Sequence, residues 1–112
     1  MSIIIYAIPL AVLAFLLMKR KGLPESTLNE LLQKGAQVID VRTSAEFLAG
    51  HPEGALNIPL DKLDDRCKEL DPARPVVLCC ASGSRSGMAV LLLKRRGFTE
   101  VHNAGPWTSL RS

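Results

Sequence analysis

Cys79 and Cys80 stand side by side ahead of Ala81-Ser82-Gly83-Ser84-Arg85, and this stretch is where the 112-residue chain could carry out covalent chemistry. Pro75-Val76-Val77-Leu78-Cys79 reads as a buried strand, and a helical pattern occupies residues 86–96, closed by Gly97. The thiols therefore lie at a strand end just before a helix start. Small side chains let the intervening backbone curl tightly, and Gly83 can take a positive φ without steric cost. A loop curled in this way turns several N–H groups into one cup, to which the helix start adds its own unpaired N–H groups and positive end. A thiol at the bottom of such a cup loses its proton readily.

The magnitude is decisive. A thiol of pKa ~8.5 is only about 3% ionised at pH 7, whereas at ~6.5 about 75% is thiolate. Two units correspond to about 2.7 kcal/mol, within reach of a few N–H donors. Arg85 adds a permanent cation for a visiting anion. Cys80 is the expected nucleophile, because the glycine, the arginine and the helix start converge on it. Cys79 is expected to be an ordinary buried strand residue.

The rest of the chain alternates helix and strand around this loop. Helices are expected at residues 26–34, with Thr27 and Glu30 at capping-box spacing, at residues 43–50, opened by Thr43-x-x-Glu46, and at residues 60–70. In the last of these, Leu60, Leu63, Cys67 and Leu70 share one side, and Asp71-Pro72 ends it. The leucines of helix 86–96 fall on more than one face, which predicts a well-covered helix. Short strands are expected at residues 38–41, 55–58 and 100–103. The fold class is α/β: a small, mainly parallel sheet flanked by helices, with right-handed crossovers and a ligand crevice beyond the carboxyl ends of the strands.

Three stretches together resemble the rhodanese-type sulfurtransferases. Cys80-Ala81-Ser82-Gly83-Ser84-Arg85 resembles the family's C-x-x-G-x-R active-site loop. Val38-Ile39-Asp40-Val41-Arg42 with Glu46-Phe47 resembles its strand ending in Asp-Val-Arg. Gly50-His51-Pro52-Glu53-Gly54-Ala55-Leu56-Asn57-Ile58-Pro59 resembles its G-H-I-x-G-A-x-N-I-P signature, with Pro52 in place of the usual apolar residue. The resemblance implies that the Cys80 thiolate takes a sulfane sulfur from a donor such as thiosulfate and passes it, as a persulfide, to a thiol or cyanide-like acceptor. The backbone N–H groups from Ala81 to Arg85 would then hold the persulfide's charge. Arg85 would orient the donor or brace the loop. Asp40 and Arg42 would support the site, by direct contact or as an ion pair. His51 is expected to stabilise its turn, and His102 has no expected role. No cofactor and no metal is implied.

Two other function classes fit parts of the pattern. Counted from Cys79, the loop is C-x-x-x-x-x-R-S, the spacing of Cys-x5-Arg phosphatases and arsenate-reductase-like enzymes. Leu78 precedes that cysteine where those phosphatases usually carry histidine, and no upstream aspartate stands in an obvious general-acid loop. A non-catalytic interaction module of the same fold is the third class, although such modules typically lack the nucleophile. The paired thiols also raise the possibility that Cys79 resolves an oxidised Cys80, against the strain that a disulfide between neighbours imposes.

The N-terminus is of another kind. Residues 3–18 are all apolar apart from Tyr6 and Pro9, and residues 2–18 would form a helix of about 26 Å against a hydrocarbon core of about 30 Å. Lys19-Arg20-Lys21 follows, whereas a cleaved signal peptide wants its positive charge before the apolar run. The expectation is a single-pass membrane anchor with its basic stop at residues 1–21, a linker at 22–25 and the catalytic domain at 26–112. The basic flank places that domain in the cytoplasm. Outside residues 19–21, 11 Lys and Arg balance 11 Asp and Glu, and aromatic residues are only 4%, so no nucleic-acid partner is expected. Three cysteines are too few for a disulfide scaffold.

Overall fold

The computed structural model describes residues 9–12 and 22–110. Its elements run α1 (Glu25–Gln33), β1 (Gln37–Asp40), α2 (Ser44–Leu48), β2 (Leu56–Asn57), α3 (Leu60–Arg66), β3 (Val76–Cys80), α4 (Ser84–Arg95) and β4 (Val101–Pro106). Short 3-10 turns occupy Cys67–Glu69 and Trp107–Leu110. The four strands form one sheet in the order β2-β1-β3-β4, and every pairing is parallel. Central β3, Val-Val-Leu-Cys-Cys, is buried at all five positions, as a strand covered on both faces must be.

Because side chains alternate across a strand, β3 feeds two separate cores. Val76, Leu78 and Cys80 join Ile39, Leu63 of α3, and Ala89 and Leu93 of α4 on one face. Val77 and Cys79 join Leu31 of α1, Ala104 and the flanking Trp107 and Leu110 on the other. Helices thus cover both faces, with the carboxyl ends of the strands left at one rim.

Local departures from the sequence reading have physical causes. Helix α1 starts at Glu25 behind Pro24, whose φ of −58° suits a helix start and whose carbonyl accepts from Leu28 N at 3.0 Å. Thr27 and Glu30 are therefore interior, and the expected capping box between them does not form. The box of α2 does form, with Thr43 and Glu46 bonded reciprocally. Helix α3 ends at Arg66 and tightens into a 3-10 turn, leaving Cys67 only half-buried. Helix α4 begins at Ser84, earlier than its apolar pattern, because Gly83 caps it with φ 106°. Nor is it covered all round: Met88 is 62% and Leu91 59% exposed.

Strand β4 runs past its expected end to Pro106. Leu78 pairs with Asn103 but Cys79 with Gly105, so Ala104 is an extra residue in a bulge. Asn103 Oδ1 accepts from Gly105 N at 2.8 Å and fixes that kink. No helix among the described residues is long and apolar enough to cross a membrane. The expected anchor at residues 2–18 lies outside the described residues apart from 9–12.

Candidate active site at the carboxyl ends of the strands

Strand β3 delivers Cys80 to the sheet's rim, and the backbone then turns back so that Gly83 N donates to Cys80 Sγ at 2.9 Å. That turn needs Gly83 in the left-handed region, and a Cβ there would come within 3.3 Å of Gly105 Cα. Ser86 Oγ lies 3.3 Å from the sulfur. Burial, the largest single influence, pushes the Cys80 thiol up. The Ser86 hydroxyl, the Ser86 and Gly83 N–H groups and the Ser82 N–H together outweigh it, and the thiol lies below its ordinary range. Cys80 is only 1% exposed, so a reagent must reach it through the mouth of the loop.

Its neighbour differs in every respect. Cys79 projects into the opposite core, and burial followed by the negative charge of Asp40 pushes its thiol up to about 12. The loop counted from Cys79 therefore does not enclose the Cys79 sulfur, which removes the geometric basis for the Cys-x5-Arg phosphatase register. Both cysteines are free, and with side chains on opposite faces the strand would have to be rebuilt before they could pair.

The other expected residues fall into two groups. Ala81, Ser82 and Ser84 form the exposed rim of the loop, with Ser82 Oγ 3.4 Å from Ser84 Oγ, while Gly83 is buried beneath them. Arg85 does not stand as an open cation. Its Nη1 and Nη2 donate to Glu46 Oε1 and Oε2 at 2.7 and 3.0 Å, tying the loop to α2. That guanidinium, followed by the Thr43 N–H, holds the Glu46 carboxyl down at about 2.

Asp40 and Arg42 form a buried ion pair, with Arg42 Nη2 2.6 Å from Asp40 Oδ2. Arg42 also donates to the carbonyls of Gly50 at 2.7 Å and Glu46 at 3.3 Å, and it lies 4.5 Å over the Trp107 ring. This is the ion-pair form of their expected supporting role: it fixes the chain after β1 on which Glu46 is carried. His51 stacks on Phe47 and donates from Nδ1 to its carbonyl at 2.9 Å, as a turn-stabilising residue would. His102 lies in β4 with a buried Nε2 that makes no hydrogen bond.

Sequence reasoning did not find Asn103, which joins three parts of the site. Its Nδ2 donates to Gly83 O at 3.0 Å, while its Oδ1 accepts from Ser86 Oγ at 2.6 Å as well as from Gly105 N. Ser86 has one hydroxyl proton for two acceptors. With Cys80 protonated, S–H can donate to Ser86, which donates to Asn103. With Cys80 ionised, the hydroxyl can turn to the sulfur while Gly105 N–H keeps Asn103 Oδ1 satisfied. The available signal was an asparagine in a strand, where that residue type is depleted.

Comparison with known proteins bears on what this site does. The model of the rhodanese-like domain matches residues 24–104. Among curated proteins, the chain is 47% identical over 68 residues to the uncharacterized protein YqhL of Bacillus subtilis, covering 61% of this chain and 54% of that one. It is 30% identical over 83 residues to the thiosulfate sulfurtransferase GlpE of Pseudomonas fluorescens, covering 74% and 76%. The chain spans about half the length of YqhL and of a second B. subtilis relative, the putative sulfur carrier protein YrkF, 54% and 52%. Among solved structures, the human single-domain sulfurtransferase TSTD1 superposes with a TM-score of 0.64 at 29% identity, covering 80% of this chain and 93% of that one.

Proposed function

The chain belongs to the family of rhodanese-like domains, and from that premise we propose that it is a sulfurtransferase whose Cys80 carries the sulfur. The Cys80 thiolate attacks the outer sulfur of the donor. With thiosulfate, the S–S bond breaks, its electron pair leaves with sulfite, and Cys80 becomes a persulfide anion. A nucleophilic acceptor then takes the outer sulfur and returns the thiolate; cyanide leaves as thiocyanate. The amides of the loop hold the negative charge before and after transfer, so little has to reorganise between the two half-reactions. Ser86 follows the charge with its one proton, and Asn103 holds Ser86 and Gly83 in place. Asp40, Arg42, Glu46 and Arg85 keep the loop at the rim of the sheet.

The observation that carries this reading is the hydrogen-bonding of Cys80 Sγ, which receives Gly83 N–H at 2.9 Å beside Ser86 Oγ at 3.3 Å. The test is the intact mass of the full chain after excess thiosulfate, with Cys80→Ser alongside. The wild type is expected to gain one sulfur atom and the variant none. Equal gain in both, or no gain in either, would overturn it.

The reading includes a location: residues 2–18 anchor the chain in a bilayer, and Lys19, Arg20 and Lys21 keep the catalytic domain on the cytoplasmic side. Its support is the length and purity of the apolar run and the position of the charges. The full chain should stay in the membrane fraction through alkaline carbonate extraction and resist protease added from the side opposite the cytoplasm. Release into the supernatant would contradict the anchor.

A further inference from the structure

The cation of the Cys80 loop, Arg85, is already paired. Ala81, Ser82 and Ser84, the exposed rim, are uncharged. Arg85, the last residue of the loop, lines an open groove of about 270 Å³ together with Val41, Thr43, Pro59, Leu60 and Asp61. Val41 ties this groove to the strand end, since its N–H donates to Cys79 O at 3.0 Å. Arg85 is the one cation among these lining residues, and both forks of its guanidinium are bonded to Glu46. The two side chains are 34% and 37% exposed, so the pair meets arriving solutes as a neutral unit. Asp61 adds a negative charge to the same wall. A small dianion gains little there beyond the main-chain amides, whereas an uncharged body finds Val41, Pro59 and Leu60 to lie against.

We infer that Glu46, with Asp61, sets donor specificity by cancelling Arg85, and that the site takes sulfur from donors of low charge with an apolar body, such as organic hydropersulfides, in preference to the thiosulfate dianion. The inference rests on the persulfide reading above. For such a donor, R–S–SH, the Cys80 thiolate attacks the terminal sulfur, the S–S bond breaks, and its electron pair leaves with the thiolate R–S⁻. The product is the Cys80 hydropersulfide. No oxidant or reductant is needed. Glu46 and Asp61 act here as specificity residues through the field at the groove, not by touching the reacting sulfur.

Glu46→Gln isolates the effect. Glutamine preserves the capping box with Thr43 and can still accept one hydrogen bond from Arg85, while the countercharge is removed. The experiment follows sulfur loading of Cys80 by intact mass, on the full chain in detergent, with thiosulfate and with benzyl hydropersulfide. Glu46→Gln is expected to raise the thiosulfate rate about fourfold at low salt, the size of one unit charge acting on a dianion on the order of 10 Å away in a water-like medium. That gain should shrink as salt is added. Loading by benzyl hydropersulfide, at most a monoanion against the dianion, should rise by clearly less than loading by thiosulfate. Asp61→Asn, which leaves the Arg85 pair intact, should move thiosulfate in the same direction by less. Equal changes for both donors, or a thiosulfate rate indifferent to both variants, would overturn the inference. Faster loading of the wild type by thiosulfate than by benzyl hydropersulfide would overturn the inference alone, whereas failure of both donors to load wild-type Cys80 would overturn the sulfurtransferase reading, and this inference with it.

Discussion

Cys79 and Cys80 are consecutive residues on one strand, have the same side chain and are both almost fully buried, yet their thiols are driven in opposite directions. Cys79 looks into an apolar core beside the Asp40 carboxylate and is pushed up to about 12. Cys80 looks the other way, where the loop returns Gly83 N–H and the start of α4 supplies Ser86. Burial works against ionisation at both. What separates them is the set of donors aimed at the sulfur. Reactivity is thus assigned by the pleat of the strand together with a turn that only one side of the sheet possesses, and burial alone is a poor guide to it.

The contrast can be broken at its root. Cys80→Ser is expected to abolish sulfur loading, while Cys79→Ser leaves loading within a few-fold of wild type; intact mass after donor treatment reads both. Exchanged outcomes would place the chemistry on the wrong thiol. Next in size is Gly83→Ala. Alanine at φ 106° costs about 1–2 kcal/mol in backbone strain. Its methyl would also press on Gly105, so thermal stability should fall and the Cys80 pKa should rise as the 83 amide is displaced. Unchanged alkylation kinetics would show that this amide is not what lowers the thiol.

Ser86→Ala sharpens the comparison from the donor side. A hydrogen bond to a charged group is worth about 1.5–3 kcal/mol, so the Cys80 pKa should rise by about one to two units. Asn103→Ala should move it the same way by less, and the double variant should fall short of the sum because the two residues act in one chain. Full additivity would separate them.

The smallest effect concerns Cys79. Its folded-state pKa, about 12, lies above the unfolded value of about 8.5. Its contribution is therefore complete below the unfolded value and is lost progressively as pH rises toward the folded one. Urea melts of wild type and Cys79→Ala between about pH 7 and 10 should show a decline present in the wild type and reduced in the variant. Parallel declines would mean that Cys79 is not the group responsible.

Much of this was legible in the chain. An uninterrupted apolar run of strand length, followed by small residues, a glycine and a helical pattern, marks β3, the loop and α4, because each of those signals is local. The capping box of Thr43 and Glu46 was local too. The second partnership of Glu46 was not. Residues 46 and 85 meet only because β1 and β3 are neighbours and both of their following helices start at the same rim. Asn103 was hidden for a similar reason, since its place against Gly83 and Ser86 depends on a bulge in β4 that pairing alone reveals. The box expected at Thr27 and Glu30 failed because Pro24 starts the helix upstream of it. The leucines of α4 suggested cover on all faces, whereas the partners that would provide it lie on one side only.

The most direct test of the account is the rate of alkylation of each cysteine against pH, resolved by peptide mass spectrometry on the intact, folded chain. Cys80 should react along a single titration curve whose midpoint falls below the ordinary thiol value, while Cys79 stays unlabelled through neutrality and well into the alkaline range. A Cys80 midpoint at or above the ordinary value, or two cysteines labelled in step, would contradict it.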